Sequence, residues 1–200
     1  MDYGIFDGTK VIAKFAAPMS VISNHPTSLS DTLSLKRQTL RRSAQRWEIS
    51  SNVEPLSFGA HQLFALLVMK GLSETLQIVT PQNYGAKQAL TSTSTGNSTD
   101  GVTSANSTQV LIKNTSGTIP AGTFIKFNNH SKVYMLSSDS VSGSPLNIYP
   151  PLRADVPGDT GFKFKDDVMM TCYFDSDTII GMSYIDGILM DNGALKFVEA

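Results

Sequence analysis

The chain has 200 residues, 40% of them hydrophobic, with a formal net charge of −1. That is enough apolar material for one domain or two small ones, and a near-neutral balance excludes a polyanion partner held by net charge alone. The charge is unevenly spread. Residues 1–87 hold nine basic and six acidic side chains, residues 88–165 six and four, and residues 166–200 one and seven. The acidic last segment would complement a basic neighbour, in the same subunit or the next.

At the start, Met1-Asp2-Tyr3-Gly4 shows no basic stretch followed by an apolar run, so no secretory signal is expected. Asp7-Gly8 is a hairpin signal ahead of a strand at Val11-Ile12-Ala13-Lys14-Phe15. Pro18 and Pro26 interrupt the next stretch, and residues 20–31 read as a long polar loop, a candidate contact arm. Over residues 33–42 one strand parity carries Leu33, Leu35, Arg37, Thr39 and Arg41, the other Lys36, Gln38, Leu40 and Arg42. Lys36, Arg37, Arg41, Arg42 and Arg46 are five of the sixteen basic residues. They read either as a solvated hairpin face or as a basic patch at an interface or beside passing nucleic acid. No aromatic interleaving marks a single-strand platform.

Residues 41–81 hold the organising unit: strand, helix, strand. Gln45-Arg46-Trp47-Glu48-Ile49 alternates, with Trp47 (the only Trp) and Ile49 on one side. Ser57 is a good N-cap after Pro55. Leu63, Phe64 and Leu67 make an apolar face, widened by Leu66, Val68 and Met69, and Gly71 suits the helix end. This predicts one principal helix of about three turns. Thr75-Leu76-Gln77-Ile78-Val79 then alternates as the second strand, with Leu76 and Ile78 expected beside Trp47 and Ile49.

Residues 91–108 contain eleven Ser or Thr in eighteen. Such a stretch is expected to be a flexible linker or surface loop. Asn97, Asn106, Asn114 and Asn129 each begin an Asn-x-Ser/Thr triplet, which Ser/Thr richness produces by chance. Beyond it, strands are expected at 109–113, 123–127, 132–136, 146–149 and 161–165. Their short, regular spacing predicts a small β-barrel, OB-like or SH3-like. Longer strands come next, at 167–174 and 178–189. These need a partner, and the simplest is the opening of the chain. The expected organisation is therefore a discontinuous domain, residues 1–87 plus 166–200, with residues 88–165 inserted as the barrel. The fold class is mainly β with one principal helix.

No catalytic, cofactor or metal site is expected. His25, His61 and His130 have no second ligand at metal spacing. Asp166-Asp167 and Asp175-Ser176-Asp177 read as turn carboxylates, without the shared pocket of an acid/base pair or the further ligands of a calcium loop. His130-Ser131 lacks a third group. Cys172 lies in an apolar run and reads as a buried small hydrophobe. The longest apolar stretch, near 63–69, is too short to span a bilayer.

The segment Pro120-Ala121-Gly122-Thr123-Phe124-Ile125-Lys126-Phe127-Asn128-Asn129-His130-Ser131-Lys132-Val133-Tyr134-Met135-Leu136 resembles part of the tail structural proteins of tailed bacteriophages. So does Leu146-Asn147-Ile148-Tyr149-Pro150-Pro151-Leu152-Arg153, and so does Gln45-Arg46-Trp47-Glu48 before a helix with a Pro81-Gln82-Asn83-Tyr84-Gly85 exit. The order of parts resembles the distal tail, or baseplate-hub ring, protein family: a tail-tube-like β domain interrupted by a small barrel. The resemblance covers most of residues 33–165. It implies a structural virion protein, not an enzyme, forming a homo-oligomeric, hexameric ring at the distal end of the tail. There it would adapt the tail tube to the hub, the baseplate and the host-recognition parts, with the genome passing through the ring lumen. It would be assembled in the host cytoplasm, with no membrane partner and no sequence-specific nucleic acid. Two other readings stand beside it. One is another tail ring: tube, neck or hub. The other is a carbohydrate-binding module, which would need an exposed aromatic cluster drawn from Tyr134, Tyr149 and Phe162.

Overall fold

A computed structural model describes residues 3–6, 8–9, 11–31, 37–41, 44–54, 69–70, 73–82, 98–115, 117–141, 143–165, 167–175, 183–185, 188–191 and 194–200. Strands of three residues or more are numbered in chain order. They are β1 (Gly4–Phe6), β2 (Val11–Lys14), β3 (Ser20–Asn24), β4 (Thr27–Asp31), β5 (Arg37–Arg41), β6 (Arg46–Ser51) and β7 (Leu76–Val79). Then come β8 (Phe124–Phe127), β9 (Val133–Leu136), β10 (Leu146–Tyr149), β11 (Met169–Phe174), β12 (Ser183–Ile185), β13 (Ile188–Asp191) and β14 (Leu195–Glu199). The protein is mainly β. A principal helix is not shown: only Met69 and Lys70 are helical among the described residues, and Ser57, His61, Leu63, Phe64, Leu67 and Gly71 lie outside them.

The chain divides into two compact units, Met1–Lys14 with Leu76–Thr171, and Phe15–Thr75 with Cys172–Ala200. Of the boundaries expected from the sequence, residues 87–88 and Asp166 lie outside the described residues.

In the first unit β1 pairs antiparallel with both β2 and β7. The expected turn is there, with Gly8 at φ 105°, a conformation that favours glycine. Ile5, Ala13, Ile78 and Val79 are fully buried. Residues 80–82 tie this sheet to the rest of the unit. Thr80 donates from both its amide (3.1 Å) and its hydroxyl (2.6 Å) to the Val168 carbonyl. The Gln82 side chain donates to the Phe124 carbonyl (2.9 Å) and accepts the Phe124 amide hydrogen (3.0 Å). It also donates to the Lys165 carbonyl at 3.1 Å. A buried carboxamide here replaces a strand partner, satisfying main-chain groups that would otherwise be orphaned.

Also in the first unit, residues 109–163 form a five-stranded antiparallel sheet in the order Phe162–Lys163, β8, β9, β10, Gln109–Val110. Two short ribbons accompany it, Ile112–Lys113 with Ser98–Thr99 and Thr118–Ile119 with Ser140–Val141. The sheet is open. The closed OB-like or SH3-like barrel expected from strand spacing is not shown, and the outermost strands of the sheet are only two residues long, too short to zip to one another. Its core is continuous nonetheless. Phe127 touches Tyr134 and Phe162, with ring centroids 5.7 and 6.2 Å apart, and Phe162 touches Phe164 at 5.6 Å.

Over its described part, 98–108, the Ser/Thr-rich tract is mostly exposed turn and bend, in keeping with a surface loop, but it is pinned to the fold at two points. Thr99 is fully buried; its hydroxyl donates to the Pro157 carbonyl (2.7 Å) and accepts from the Thr160 amide (3.1 Å). Thr103 and Val156 exchange both main-chain hydrogen bonds, at 2.9 and 2.8 Å. Composition does not reveal the Thr99 anchor, because a threonine with both hydrogen-bonding roles met can be buried at little cost. Asn106 and Asn114, from the Asn-x-Ser/Thr triplets, have φ of 68° and 60°. They serve as left-handed turn residues, a conformation that asparagine tolerates.

In the second unit β14 pairs antiparallel with residues 172–174 of β11 and with β6, and β6 with β3. Alternation on β6 points Trp47, Ile49 and Ser51 inward. Ile49 lies opposite Phe197. Phe197 stacks near Phe15 and Phe174, at 5.9 and 5.6 Å. Cys172 is buried and outside any disulfide, the small core residue expected. Residues 20–24 and 27–31 are strands, not the expected long loop: on β3, Val21 and Ser23 share the inward face of their partners Ile49 and Trp47, while Ser20, Ile22 and Asn24 face out, a half-buried edge pattern. β14 was not among the expected strands, although Leu195 and Phe197 flank Lys196 with the period of a half-buried strand.

Candidate assembly surface

Two features of the second unit stand out. The first is the ribbon made by β4 and β5, which pair antiparallel from Thr27↔Arg41 to Asp31↔Arg37. Every described side chain on it is exposed. Leu29 is 62% exposed and Leu40 66%. Register puts them on opposite faces, because Leu29 pairs with Thr39 while Ser28 pairs with Leu40. The second is β3, which ends its sheet and leaves Ile22 half in solvent. A shallow groove of about 580 Å³ runs here, lined by Ile22, Asn24, His25, Thr27, Thr39 and Glu48.

The basic run expected at 36–46 is only partly free in charge. Arg37 pairs with Asp31 at 3.3 Å, and Arg46 with Glu48 at 3.0 Å. Glu48 also accepts from Asn24 at 2.6 Å. Arg41 closes the ribbon through its backbone, while Lys36 and Arg42 lie outside the described residues. The result is a mixed-charge surface. At the acidic end of the sequence, Glu199 is buried and accepts the Trp47 amide hydrogen at 3.2 Å. Asp175 is exposed, and Asp166, Ser176 and Asp177 lie outside the described residues.

His25 lines the groove, His61 lies outside the described residues, and His130 sits in the first unit between aromatic rings. Its Nε2 is 2.8 Å from the Tyr134 hydroxyl, which accepts the Arg153 amide hydrogen at 3.0 Å. Burial pushes the His130 pKa below its ordinary value, and Lys126 and Arg153 add repulsion. The aromatic residues that a carbohydrate module would need are not a surface cluster: Tyr134 and Phe162 are buried and Tyr149 is half-buried. Among the described residues no group of three or more His, Cys, Asp or Glu is placed to hold a metal ion, and no helix is long and apolar enough to cross a membrane.

Gln82, Thr99 and the β4–β5 leucines were not singled out for these roles from the sequence. Gln82 gave no signal beyond its place after a strand. Leu29 and Leu40 are apolar residues in polar surroundings, a signal that becomes readable once the ribbon is paired. No protein-family model matches this chain, and no curated protein matches it.

Proposed function

We propose that this chain is a structural subunit that closes into a ring at the distal end of a bacteriophage tail. The resemblance of residues 33–165 to tail proteins supplies the setting and the hexameric number. The observation that carries the reading is the β4–β5 ribbon. A two-stranded ribbon is marginal alone in water, and this one exposes a leucine on each face. Further copies of the chain, packed over the two faces of the ribbon and paired to the β3 edge, would bury both. Such contacts join different surfaces of neighbouring subunits, and heterologous contacts of this kind close rings where the rotation from one subunit to the next closes. In this reading the first domain is tail-tube-like, the inserted module is the small barrel-like part facing other baseplate proteins, and the ring joins tube to hub around the path of the genome. The protein acts without catalysis, in the virion tail, after assembly in the host cytoplasm.

The test has two arms. Leu29→Ser with Leu40→Ser should abolish self-association, or incorporation into tails, while leaving the melting temperature within a degree or so of wild type, as expected for exposed positions. A cryo-electron microscopy map of the assembled tail should place the chain in a ring about the tail axis. A map showing a lone monomer, or a double variant that assembles like wild type, overturns the proposal.

A further inference from the structure

The first unit contains a cleft whose polar groups suit a ligand. Its volume is about 200 Å³, and its lining includes Lys126, Asn128, Lys163, Asp167 and Gln77. That volume is below the range of drug-sized pockets and fits a single small molecule.

The two lysines face each other. Lys126 on β8 lies directly opposite Lys163 in the antiparallel register, so their side chains leave the same face. Like charges in directly opposed positions are destabilising, and the protein meets only half of this problem. Lys126 Nζ donates to the Met169 carbonyl at 2.8 Å. Among the described residues Lys163 has no ion-pair or hydrogen-bond partner for its ammonium group. The Asn128 carboxamide, on the exposed rim, is likewise without a side-chain partner there.

Charge and polarity narrow the ligand. Among the described residues that line the cleft, two ammonium groups and the carboxylate of Asp167 leave a single positive charge, which a monoanion balances and a dianion overshoots. Gln77 donates from Nε2 to the Thr171 hydroxyl at 3.1 Å, leaving its carbonyl oxygen to accept. Asn128 offers both a donor and an acceptor, and Asp167 a further acceptor. These groups match hydroxyls next to a carboxylate. We propose that the cleft between β8, the strand Phe162–Lys163 and the start of β11 binds a small hydroxy-carboxylate of sugar-acid size, its carboxylate held by Lys163 and Lys126. The ligand is either a free acid or the terminal residue of an acidic polymer; the chemistry is the same. The proposal does not depend on ring formation.

The test is a titration of the full-length protein with sodium glucuronate at constant ionic strength, followed by amide chemical shifts. Saturable shifts are expected at Gln77, Asn128, Lys163 and Asp167. Lys163→Met should weaken binding by about tenfold or more, the loss typical of a charged hydrogen bond, and Lys163→Arg should retain most of it. Asn128→Ala, at an exposed position, should weaken binding more mildly and guards against misfolding of the lysine variant. An acidic oligosaccharide ending in the same sugar distinguishes the two sources: tighter binding points to the polymer, equal binding to the free acid. Shifts that do not saturate up to tens of millimolar, equal binding of neutral glucose, or undiminished binding by both Lys163→Met and Asn128→Ala overturns the proposal.

Discussion

Trp47→Ala separates a core role from an interface role for the only tryptophan in the chain. Trp47 is 3% exposed on the inward face of β6, in line with Ile49. A buried tryptophan removes up to about 250 Å² from water, worth at most ~6 kcal/mol at about 25 cal/mol per Å². Alanine keeps the Cβ and the neighbours relax in part, so the expected cost is ~3–5 kcal/mol. With a urea dependence of about 2 kcal/mol per molar for a unit of this size, the midpoint should fall by roughly 2 M. The readout matters. Intrinsic tryptophan fluorescence in the wild type reports the second unit alone, and the variant has no tryptophan, so both must be compared by far-ultraviolet circular dichroism. Two units need not unfold together, and the loss should appear in the transition that coincides with wild-type fluorescence. A midpoint unchanged to within about 0.5 kcal/mol, the scale of neutral surface substitutions, would refute the core assignment. If self-association were lost at the same time, Trp47 would be an interface anchor instead.

Three further outcomes rest on buried polar groups. Gln82→Ala orphans the Phe124 amide and two carbonyls and should cost ~2–4 kcal/mol, read by chemical denaturation. Glu199→Ala takes away a buried acceptor from the Trp47 amide; it should cost ~1–3 kcal/mol and accelerate exchange of that amide hydrogen. His130 has a folded-state pKa below the ordinary 6.5, so the unfolded chain takes up its proton first as pH falls. Its contribution is fully present above 6.5 and is lost as pH drops from there toward the lower folded value. His130→Gln should flatten that slope; an unchanged slope would show that another group causes it.

Strand positions were legible where side chains alternate between apolar and polar. Arg46–Ser51, Leu76–Val79 and Leu146–Tyr149 lie within a residue or two of expectation, because one buried face imposes period two; Val11–Lys14 was legible instead as a short apolar run after a turn signal, and it buries the consecutive Ile12 and Ala13. The inward placement of Trp47 and Ile49 obeys the same rule. The closed barrel was inferred from spacing, but closure depends on strand length and stagger, which spacing does not encode. Residues 98–108 do run as a largely exposed loop, but the point that pins it was not legible. Their composition lacks apolar area, yet Thr99 satisfies itself through Pro157 and Thr160, about sixty residues downstream. Gln82 is the same case: its three acceptor and donor contacts join residues 124 and 165, and no local pattern announces them.

The candidate surfaces were less legible than the core, and the cause is physical. A core residue is constrained by its own chain, so its signature is periodic and local. Leu29 and Leu40 contribute little to the packing of the second unit at 62% and 66% exposure. Lys163 gains nothing from Lys126 across the register. These residues impose a cost on the isolated chain, exposed leucine in one case and like-charge opposition in the other. In the two proposals each cost would be removed by a second molecule: further copies over the ribbon, an anion in the cleft. The two demands are chemically distinct and lie in different units, so they can be tested apart. Serine at 29 and 40 should leave anion binding intact, and methionine at 163 should leave self-association intact. If either substitution abolished both, the two surfaces would be parts of one site.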